Sequence, residues 1–230
     1  MRVVRNETKF YINYLDYKTI SGLLSRVLTK DENCVSSEGY YIKSLYFDNV
    51  DDEAFHEKID GVDKRMKYRL RIYNCDDKFI KFEIKNKLNN YMYKDTALVK
   101  MKDAQAIQQG DYEVLLDYDD PVLNKIYYNF KCDHYRPVVV NHFLRDAYCY
   151  DLNNIRITFD KYLEKDIVGL DIFDRNLSMG RIFPDEVIIM EIKYHHFIPE
   201  WLKPILQIPS FEKCAISKYC MSRMERVDLG

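Results

Sequence analysis

Apolar and polar residues alternate with a period of two in many segments of this chain, which is the pattern of half-buried β-strands. In F-I-K-F-E-I-K-N-K, Ile80, Phe82 and Ile84 fall on one face of an extended chain, and Lys81 and Glu83 fall on the other. The same alternation predicts strands at residues 3–12, 40–48, 65–73, 78–87, 91–99, 137–148, 154–160, 163–167 and 186–194. Strands therefore dominate the predicted structure.

Helical periodicity is confined to a few segments between or after these strands. Residues 14–29 carry apolar side chains at helical spacing, namely Leu15, Ile20, Leu23, Leu24, Val27 and Leu28. Further helices are predicted at 51–60, within 103–131 and at 211–226. Because the helices are few and are inserted between runs of strands, the pattern predicts an α+β fold with an antiparallel sheet.

Many polar positions of these strands are ionised rather than merely polar. In R-M-K-Y-R-L-R, which spans 65–71, Lys67, Arg69 and Arg71 project from one face of the predicted strand. Four further strands repeat this pattern, at Arg5, Glu7 and Lys9, at Lys81, Glu83, Lys85 and Lys87, at Arg156 and Asp160, and at Glu191 and Lys193. One interpretation is an open sheet with a charged face in water, where each cross-strand ion pair contributes only about 0.2–1 kcal/mol.

The alternative is a sheet that curls into a barrel and turns its charged faces inward, which a sheet of many strands favours. Unpaired charge inside a barrel is costly unless water, anions or metal ions accompany it. Lysine and arginine bind phosphate oxygens, and a glutamate without a cationic partner suits Mg²⁺ or Mn²⁺. The residue types therefore indicate a polyanion with a divalent metal: a triphosphate, a nucleotide or polyphosphate.

Composition narrows the class of protein. The chain has 230 residues, of which 47% are hydrophobic and 31% charged, which predicts one large domain over residues 1–230. The formal net charge of −2 lacks the basic excess of a general nucleic-acid binder, so we expect no nucleic-acid partner. The first ten residues are charged, so we expect no secretory segment there, and no stretch approaches the about 20 apolar residues of a membrane span. We expect a cytoplasmic protein.

Seven motifs occur in an order that resembles the VTC domain, the polyphosphate-polymerase-like branch of the CYTH or triphosphate tunnel metalloenzyme superfamily. They are R-N-E-T-K-F-Y (5–11), S-L-Y-F-D (44–48), K-Y-R-L-R-I-Y (67–73), F-E-I-K (82–85), L-R-D-A-Y (144–148), R-I-T-F-D (156–160) and M-E-I-K-Y (190–194), with S-K-Y (217–219) near the end. The resemblance implies an eight-stranded antiparallel tunnel, a closed barrel with a basic and acidic interior, helices packed outside and a C-terminal closing helix.

The resemblance also implies a function. The better-known members of the VTC branch transfer the γ-phosphate of ATP to a growing polyphosphate chain with Mn²⁺ or Mg²⁺. Relatives elsewhere in the superfamily hydrolyse triphosphates or cyclise ATP. Matched by motif, the implied phosphate contacts are Lys9, Arg69, Arg71, Lys85, Arg145, Arg156, Lys193 and Lys218, with Lys94 as a further contact on the next strand. The implied metal ligands are Glu191, Glu7 and Glu83, although Glu7 and Glu83 have the alternative role of holding neighbouring lysines and arginines.

Three functions compete. The first is a metal-dependent polyphosphate polymerase, and the second is a triphosphatase of the same fold. Arg5 argues against the second, because the superfamily's hydrolases begin with E-x-E-x-K. The third is a tunnel that binds polyphosphate or nucleotide without turnover. A membrane-protein partner is compatible with the resemblance. Four tyrosines near the charged strands, Tyr40, Tyr41, Tyr46 and Tyr73, are interpreted as packing residues.

Overall fold

The computed structural model of the chain describes residues 6–74, 76–89, 91–184, 186–206 and 215–224. Its strands are β1 (Asn6–Ile12), β2 (Thr29–Lys30), β3 (Tyr40–Asp48), β4 (Lys64–Tyr73), β5 (Asp76–Leu88), β6 (Tyr91–Val99), β7 (Arg136–Tyr150), β8 (Ile155–Asp166), β9 (Gly180–Arg181) and β10 (Ile188–Tyr194). Its α-helices are α1 (Tyr14–Val27), α2 (Glu53–Ile59), α3 (Met101–Gln108), α4 (Pro121–Cys132), α5 (Lys203–Leu206) and α6 (Lys218–Arg223). This confirms the predicted α+β class.

The strands pair in the order β1-β10-β8-β7-β3-β4-β5-β6, with β2 beside β7 and β9 beside β8. Strand pairs such as β1 with β10 and β4 with β5 are antiparallel, as expected. In the described part of the chain this order ends at β1 and at β6, and hydrogen bonding does not close it. Closure into an eight-stranded barrel therefore stays a prediction.

The described chain divides into two compact units. The first comprises the chain up to Tyr41, Phe143–Leu163 and Phe183–Ile216, and the second comprises Ile42–His142, Glu164–Ile182 and the chain from Ser217. Strands β3, β7 and β8 contribute residues to both units. The expectation of one domain over residues 1–230 is neither confirmed nor contradicted by this division.

In the first unit, α1 packs on the apolar face of the strands. Asn13 caps the helix by accepting a hydrogen bond from the backbone N–H of Asp16 at 2.8 Å. Ile20 and Leu24 are fully buried against residues such as Phe159 and Met190. The alternate residues of the same strands carry the charges, so the period-two pattern correctly separates the two faces.

Only some of the apolar residues with helical spacing lie on the buried face of α1. Leu15, Leu23 and Val27 have the helical spacing of core residues, but they are exposed, Leu15 by 74%. The buried face is instead formed by Tyr17, Ile20, Ser21 and Leu24. Apolar residues line more of the circumference of this helix than one sheet face can cover, so spacing alone did not identify the buried side.

In the second unit, α3, α4 and a 3₁₀ helix (Glu113–Asp117) cover the apolar face of β3 to β6. Leu115, Leu123 and Ile126 are buried there as expected. The predicted helical stretch 103–131 is thus three helices. Pro121 begins α4, whose cap is Asp120.

Two further boundaries differ from the predictions. The predicted strands 154–160 and 163–167 form one strand, β8, which continues through Tyr162 at a positive φ of 53°. The closing helix predicted at 211–226 begins only at Lys218 in α6, because Ser217 is its cap and residues 215–216 are not helical, and it ends at Arg223; residues 211–214 and 225–226 of the prediction lie outside the described residues. Residues 3–5 of the predicted first strand, including Arg5, also lie outside them.

Candidate functional site

In the second unit, cross-strand register aligns ionised side chains on the face of the sheet opposite the core. Arg69 pairs with Tyr46 on β3 and with Glu83 on β5, and Glu83 pairs with Thr96 on β6. In the same way Lys67, Lys85 and Lys94 lie directly opposite one another on three neighbouring strands. Residues paired in this way share one face, so three lysines stand side by side.

This face, which we call the basic face, carries eight basic side chains among the described side chains of β4, β5 and β6. They are Arg65, Lys67, Arg69, Arg71, Lys81, Lys85, Lys87 and Lys94. Among the same described side chains, the one carboxylate on this face is that of Glu83. Like charges in adjacent cross-strand positions destabilise a sheet, so the arrangement favours an anion that reduces their repulsion.

Glu83 is engaged by two of these cations. One carboxylate oxygen lies 2.6 Å from Arg69 Nε and the other lies 2.5 Å from Lys94 Nζ. Glu83 is 1% exposed, and although burial opposes it, the charges of Arg69, Arg71 and Lys94 hold its pKa well below the usual range. Glu83 therefore remains ionised and orients Arg69 and Lys94.

Tyr46 is buried among the cations of the same face. Its hydroxyl accepts a hydrogen bond from Arg69 at 3.3 Å, and its ring contacts that of Tyr219 at 5.3 Å between centroids. Burial alone raises the pKa of a tyrosine, but the charges of Arg69, Arg71 and Lys67 outweigh it and lower the pKa of Tyr46 to about 7. Tyr46 is therefore more than a packing residue, because its hydroxyl lies in the positive electrostatic potential of these three cations.

Arg71 and α6 complete the basic face. Arg71 is buried and donates from Nε to Ser44 Oγ at 3.1 Å. Lys67 donates to Ser217 Oγ at 3.0 Å, and its ammonium lies 4.7 Å from the centroid of the Tyr219 ring. Ser217 caps α6, and Lys218 is the first residue of that helix. Lys218 is therefore next in sequence to Ser217, the residue that Lys67 contacts, which places the start of α6 beside the basic face.

The first unit also aligns ionised residues on one face, but there cations and carboxylates are matched. Register places Glu7 opposite Lys193 and Lys9 opposite Glu191. Lys9 Nζ lies 2.9 Å from Glu7, and Lys193 Nζ lies 3.6 Å from Glu7 and also contacts Glu191. We call these four residues the carboxylate–lysine cluster. Burial lowers the pKa of Lys9, but the charges of Glu191 and Glu7 outweigh it and raise that pKa.

Two arginines on the charged strands of this unit, Arg145 and Arg156, have carboxylate partners. Arg145 makes a bidentate pair with Asp160 at 2.6 and 2.8 Å. Arg156 donates from Nε to Asp31 at 2.9 Å and from its terminal nitrogen to the hydroxyl of Tyr40 at 2.8 Å. Any phosphate contact by these arginines would compete with the carboxylates. Tyr40, like Tyr46, thus contributes its hydroxyl to a charged face.

A divalent metal fits the carboxylate–lysine cluster better than it fits Glu83. In the described residues there is no group of three or more His, Cys, Asp or Glu side chains arranged to hold a metal. Mg²⁺, however, is commonly bound by one or two carboxylates together with phosphate oxygens of the substrate. Glu7 and Glu191 share Lys193 as a partner and could supply two carboxylates. Both oxygens of Glu7, like both oxygens of Glu83, contact cations, so the advantage of the cluster is its second carboxylate.

The site residues expected from the sequence therefore fall into two sets. Arg69, Arg71, Lys85, Lys94, Glu83 and Lys218 belong to the second unit, and Lys9, Glu7, Arg145, Arg156, Glu191 and Lys193 belong to the first. The expected set left out Lys67 and Tyr46, which lie within the basic face. Lys67 could have been included from its alternation with Arg69, whereas the role of Tyr46 depends on strand register.

The family profile of the VTC domain matches residues 4–225, nearly the whole chain. The chain belongs to the VTC domain family. This confirms the resemblance drawn from the ordered motifs. No curated protein sequence matches the chain.

Solved structures similar to this VTC domain include two proteins described as candidate adenylate cyclases. The one from Bacillus halodurans has a TM-score of 0.51 and 11% identity, and the match covers 91% of this chain and 95% of that one. The one from Vibrio parahaemolyticus has a TM-score of 0.45 and 10% identity, with 89% and 82% covered. The similarity to the first shows that the two chains share a fold.

None of the helices in the described part of the VTC domain is long and apolar enough to cross a membrane. The location of the protein and any membrane-protein partner remain predictions.

Proposed function

We propose that this VTC domain is a metal-dependent phosphotransferase that moves the γ-phosphate of ATP onto a polyphosphate chain. The observation that carries the proposal is the basic face, where eight basic side chains accompany one carboxylate. A sheet face with this charge favours a ligand that carries several negative charges close together. ATP and polyphosphate both meet that requirement, and family membership supports the same class of substrate.

Arginine and lysine would act in different ways on the phosphates. Arg69 and Arg71 present planar guanidinium groups, which suit bidentate contacts to phosphate oxygens. Glu83 and Ser44 orient these groups before the ligand arrives. Lys67, Lys85 and Lys94 form a row of point charges beside them, which suits the next phosphates of an extended chain. The two groups together fit a polyanion better than they fit a single phosphate.

Phosphoryl transfer requires little covalent chemistry from the protein. An oxygen of the terminal phosphate of polyphosphate attacks the γ-phosphorus, the bond from that phosphorus to the β–γ bridging oxygen breaks, and ADP leaves with the electron pair. The attacking oxygen is already ionised, so no general base is needed. Because the transition state is loose, catalysis depends on positioning and on neutralising the equatorial oxygens, which is the role we assign to the basic side chains.

Glu191 and Glu7 are the residues we assign to the metal, Mn²⁺ or Mg²⁺. When bound, such an ion neutralises charge on phosphate oxygens. Lys9 and Lys193 would keep the two carboxylates ionised and in place. Arg145, Arg156 and Lys218 remain proposed phosphate contacts. For Glu83, the contacts favour the alternative role of holding Arg69 and Lys94.

The test is to incubate the purified protein with ATP and Mn²⁺ and to separate the products on a gel that resolves polyphosphate. We expect long polyphosphate from the wild type and none from Arg71→Ala or Glu191→Ala. Arg26→Ala, which removes an exposed arginine of α1, is the matched control and should leave synthesis unchanged. Synthesis that survives both site variants would contradict the assignment.

Two other outcomes identify the competing functions. Free phosphate released from tripolyphosphate, without chain growth, would identify a triphosphatase. Binding of tripolyphosphate without any turnover of ATP or tripolyphosphate would identify a non-catalytic binding module. Both outcomes would overturn the polymerase proposal.

A further inference from the structure

Thr158 carries a buried hydroxyl that lacks a hydrogen-bond partner. The residue lies in the middle of β8 and is 2% exposed, and in the described part of the chain its Oγ1 makes no hydrogen bond. A buried hydroxyl left without a partner costs about 1–3 kcal/mol, so folded proteins rarely retain one without a reason. A ligand that completes the hydrogen bond is one such reason.

The neighbours of Thr158 on the same face all have charged partners. Arg156, two residues earlier, binds Asp31 and Tyr40, and Asp160, two residues later, binds Arg145. The residue directly opposite on β10 is Glu191, which contacts Lys193. Arg156, Asp160 and Glu191 thus each contact an oppositely charged side chain, whereas the Thr158 hydroxyl between them makes no hydrogen bond to a described residue.

The chemistry around the hydroxyl indicates what would fill that gap. Thr158 lies opposite Glu191, which lies opposite Lys9, so one row across three strands contains a hydroxyl, a carboxylate and an ammonium group. A hydroxyl donates one hydrogen bond, and an ammonium donates up to three and accepts none. An oxygen that is anionic and accepts from both groups fits this row, whereas an apolar group would leave the hydroxyl unpaired.

We infer that the Thr158 hydroxyl donates a hydrogen bond to a phosphate oxygen of the triphosphate or polyphosphate ligand, which makes it a phosphate-binding residue outside the set expected from the family motifs. The inference rests on the proposed function, because it requires that the ligand be a polyphosphorylated anion. It adds a neutral donor to a site otherwise described by charges. Such a donor contributes direction as well as attraction, because a hydroxyl bonds along one axis.

Two substitutions separate ligand binding from a structural role. Thr158→Val replaces the hydroxyl by a methyl group of similar shape, and Thr158→Ser keeps the hydroxyl. Thr29→Val, at an exposed threonine of β2 in the same unit, is the matched control. The measurement is the affinity for tripolyphosphate by calorimetry, first in EDTA and then with added Mn²⁺, together with the thermal midpoint of the unliganded proteins.

We expect Thr158→Val to weaken tripolyphosphate binding about tenfold, since a hydrogen bond to a charged group is lost. Thr158→Ser and Thr29→Val should bind like the wild type. The unliganded Thr158→Val protein should unfold at the same temperature as the wild type or higher, because an unpaired hydroxyl has been removed.

Three results would overturn the inference. Unchanged affinity in Thr158→Val would show that the hydroxyl does not reach the ligand. A fall in affinity seen only when Mn²⁺ is added would show that the hydroxyl acts through the metal. A lower thermal midpoint with unchanged affinity would show a structural hydrogen bond. If the wild type itself fails to bind tripolyphosphate, the proposed function is wrong and the inference falls with it.

Discussion

The pKa of Tyr46 can be used to measure the electrostatic potential at the basic face. The charges of Arg69, Arg71 and Lys67 lower its pKa to about 7, so part of the tyrosine is ionised at neutral pH. We expect the ultraviolet absorbance of tyrosinate to show a step near pH 7 in the wild type that is absent from Tyr46→Phe. Tripolyphosphate should move this step to higher pH, because a bound anion opposes the field that lowers the pKa.

The same shift has a consequence for stability. In the unfolded chain Tyr46 ionises near the ordinary tyrosine pKa of 10.0, and in the folded protein its pKa is about 7. The free energy of unfolding of the wild type, relative to Tyr46→Phe, should therefore rise between pH 7 and pH 10 and be flat below pH 7. A flat difference across the whole range, measured by urea denaturation at several pH values, would contradict the assigned field.

Glu83 allows a test of whether the carboxylate holds cations or metal. Glu83→Gln removes a charge that faces Arg69 and Lys94, so we expect a loss of about 3 kcal/mol of stability in the unliganded protein. Tripolyphosphate should restore more stability to this variant than to the wild type, because the anion replaces the missing charge. Mn²⁺ binding, measured by calorimetry, should weaken in Glu191→Gln and stay unchanged in Glu83→Gln.

At the scale of elements, α6 is attached to the segment around α2 by two polar contacts. Tyr219 donates its hydroxyl hydrogen to the buried carboxylate of Asp48, and Arg223 forms a bidentate pair with Asp52 at 2.7 and 3.0 Å. Because Ser217, Lys218 and Tyr219 lie at the start of α6, these contacts determine how the helix meets the basic face. The helix is short, so its own hydrogen bonds contribute little stability.

We expect Arg223→Ala to increase hydrogen exchange of the α6 amides while the rest of the second unit keeps its protection. Arg136→Ala is the matched control, since Arg136 also contacts Asp52 but at 3.5 Å and with a more exposed side chain. Equal exchange in both variants would mean that the Arg223 pair does not hold the helix.

Substitutions at a buried and an exposed leucine of α1 test which face of this helix contributes to the core. Leu24→Ala should cost about 2–5 kcal/mol, because it leaves a cavity in the core of the first unit. Leu15→Ala should change the free energy of unfolding by less than about 0.5 kcal/mol, because the side chain is mostly exposed. Urea denaturation compares the two, and similar losses would favour the face predicted from spacing.

At the scale of the whole molecule, the sequence was informative wherever a local period decides the outcome. Alternation placed Arg69, Arg71 and Lys85 on one side of their strands and the core residues on the other, and most strand boundaries agree within a few residues. The partners of these side chains were not predictable. Arg156 meets Asp31 and Lys67 meets Ser217, residues far apart in the chain that only register and topology bring together.

The balance of charge could not be predicted from composition either. The net charge of −2 over the chain does not reveal that, among the described side chains, one face carries eight basic residues while Lys9, Lys193, Arg145 and Arg156 on another each face a carboxylate. This difference arises from which strands pair and in what register. It is also the reason for assigning phosphate binding chiefly to the basic face and the metal to the carboxylate–lysine cluster.

A bound polyanion should stabilise the whole protein by mass action. At a tripolyphosphate concentration of 100 times the dissociation constant, we expect about 2.7 kcal/mol of added stability. The thermal midpoint should rise with tripolyphosphate and much less with monophosphate at equal ionic strength. A shift of equal size with both anions would indicate non-specific screening of the basic face.

The central claim, that the basic face binds a polyphosphorylated anion, is tested most directly by tripolyphosphate binding at increasing salt. We expect the wild type and Arg26→Gln to bind equally well and to lose affinity as salt screens the charges. Arg71→Gln should bind at least about tenfold more weakly at every salt concentration, since a charge-assisted contact to phosphate is lost. Equal binding by Arg71→Gln and Arg26→Gln would contradict the account.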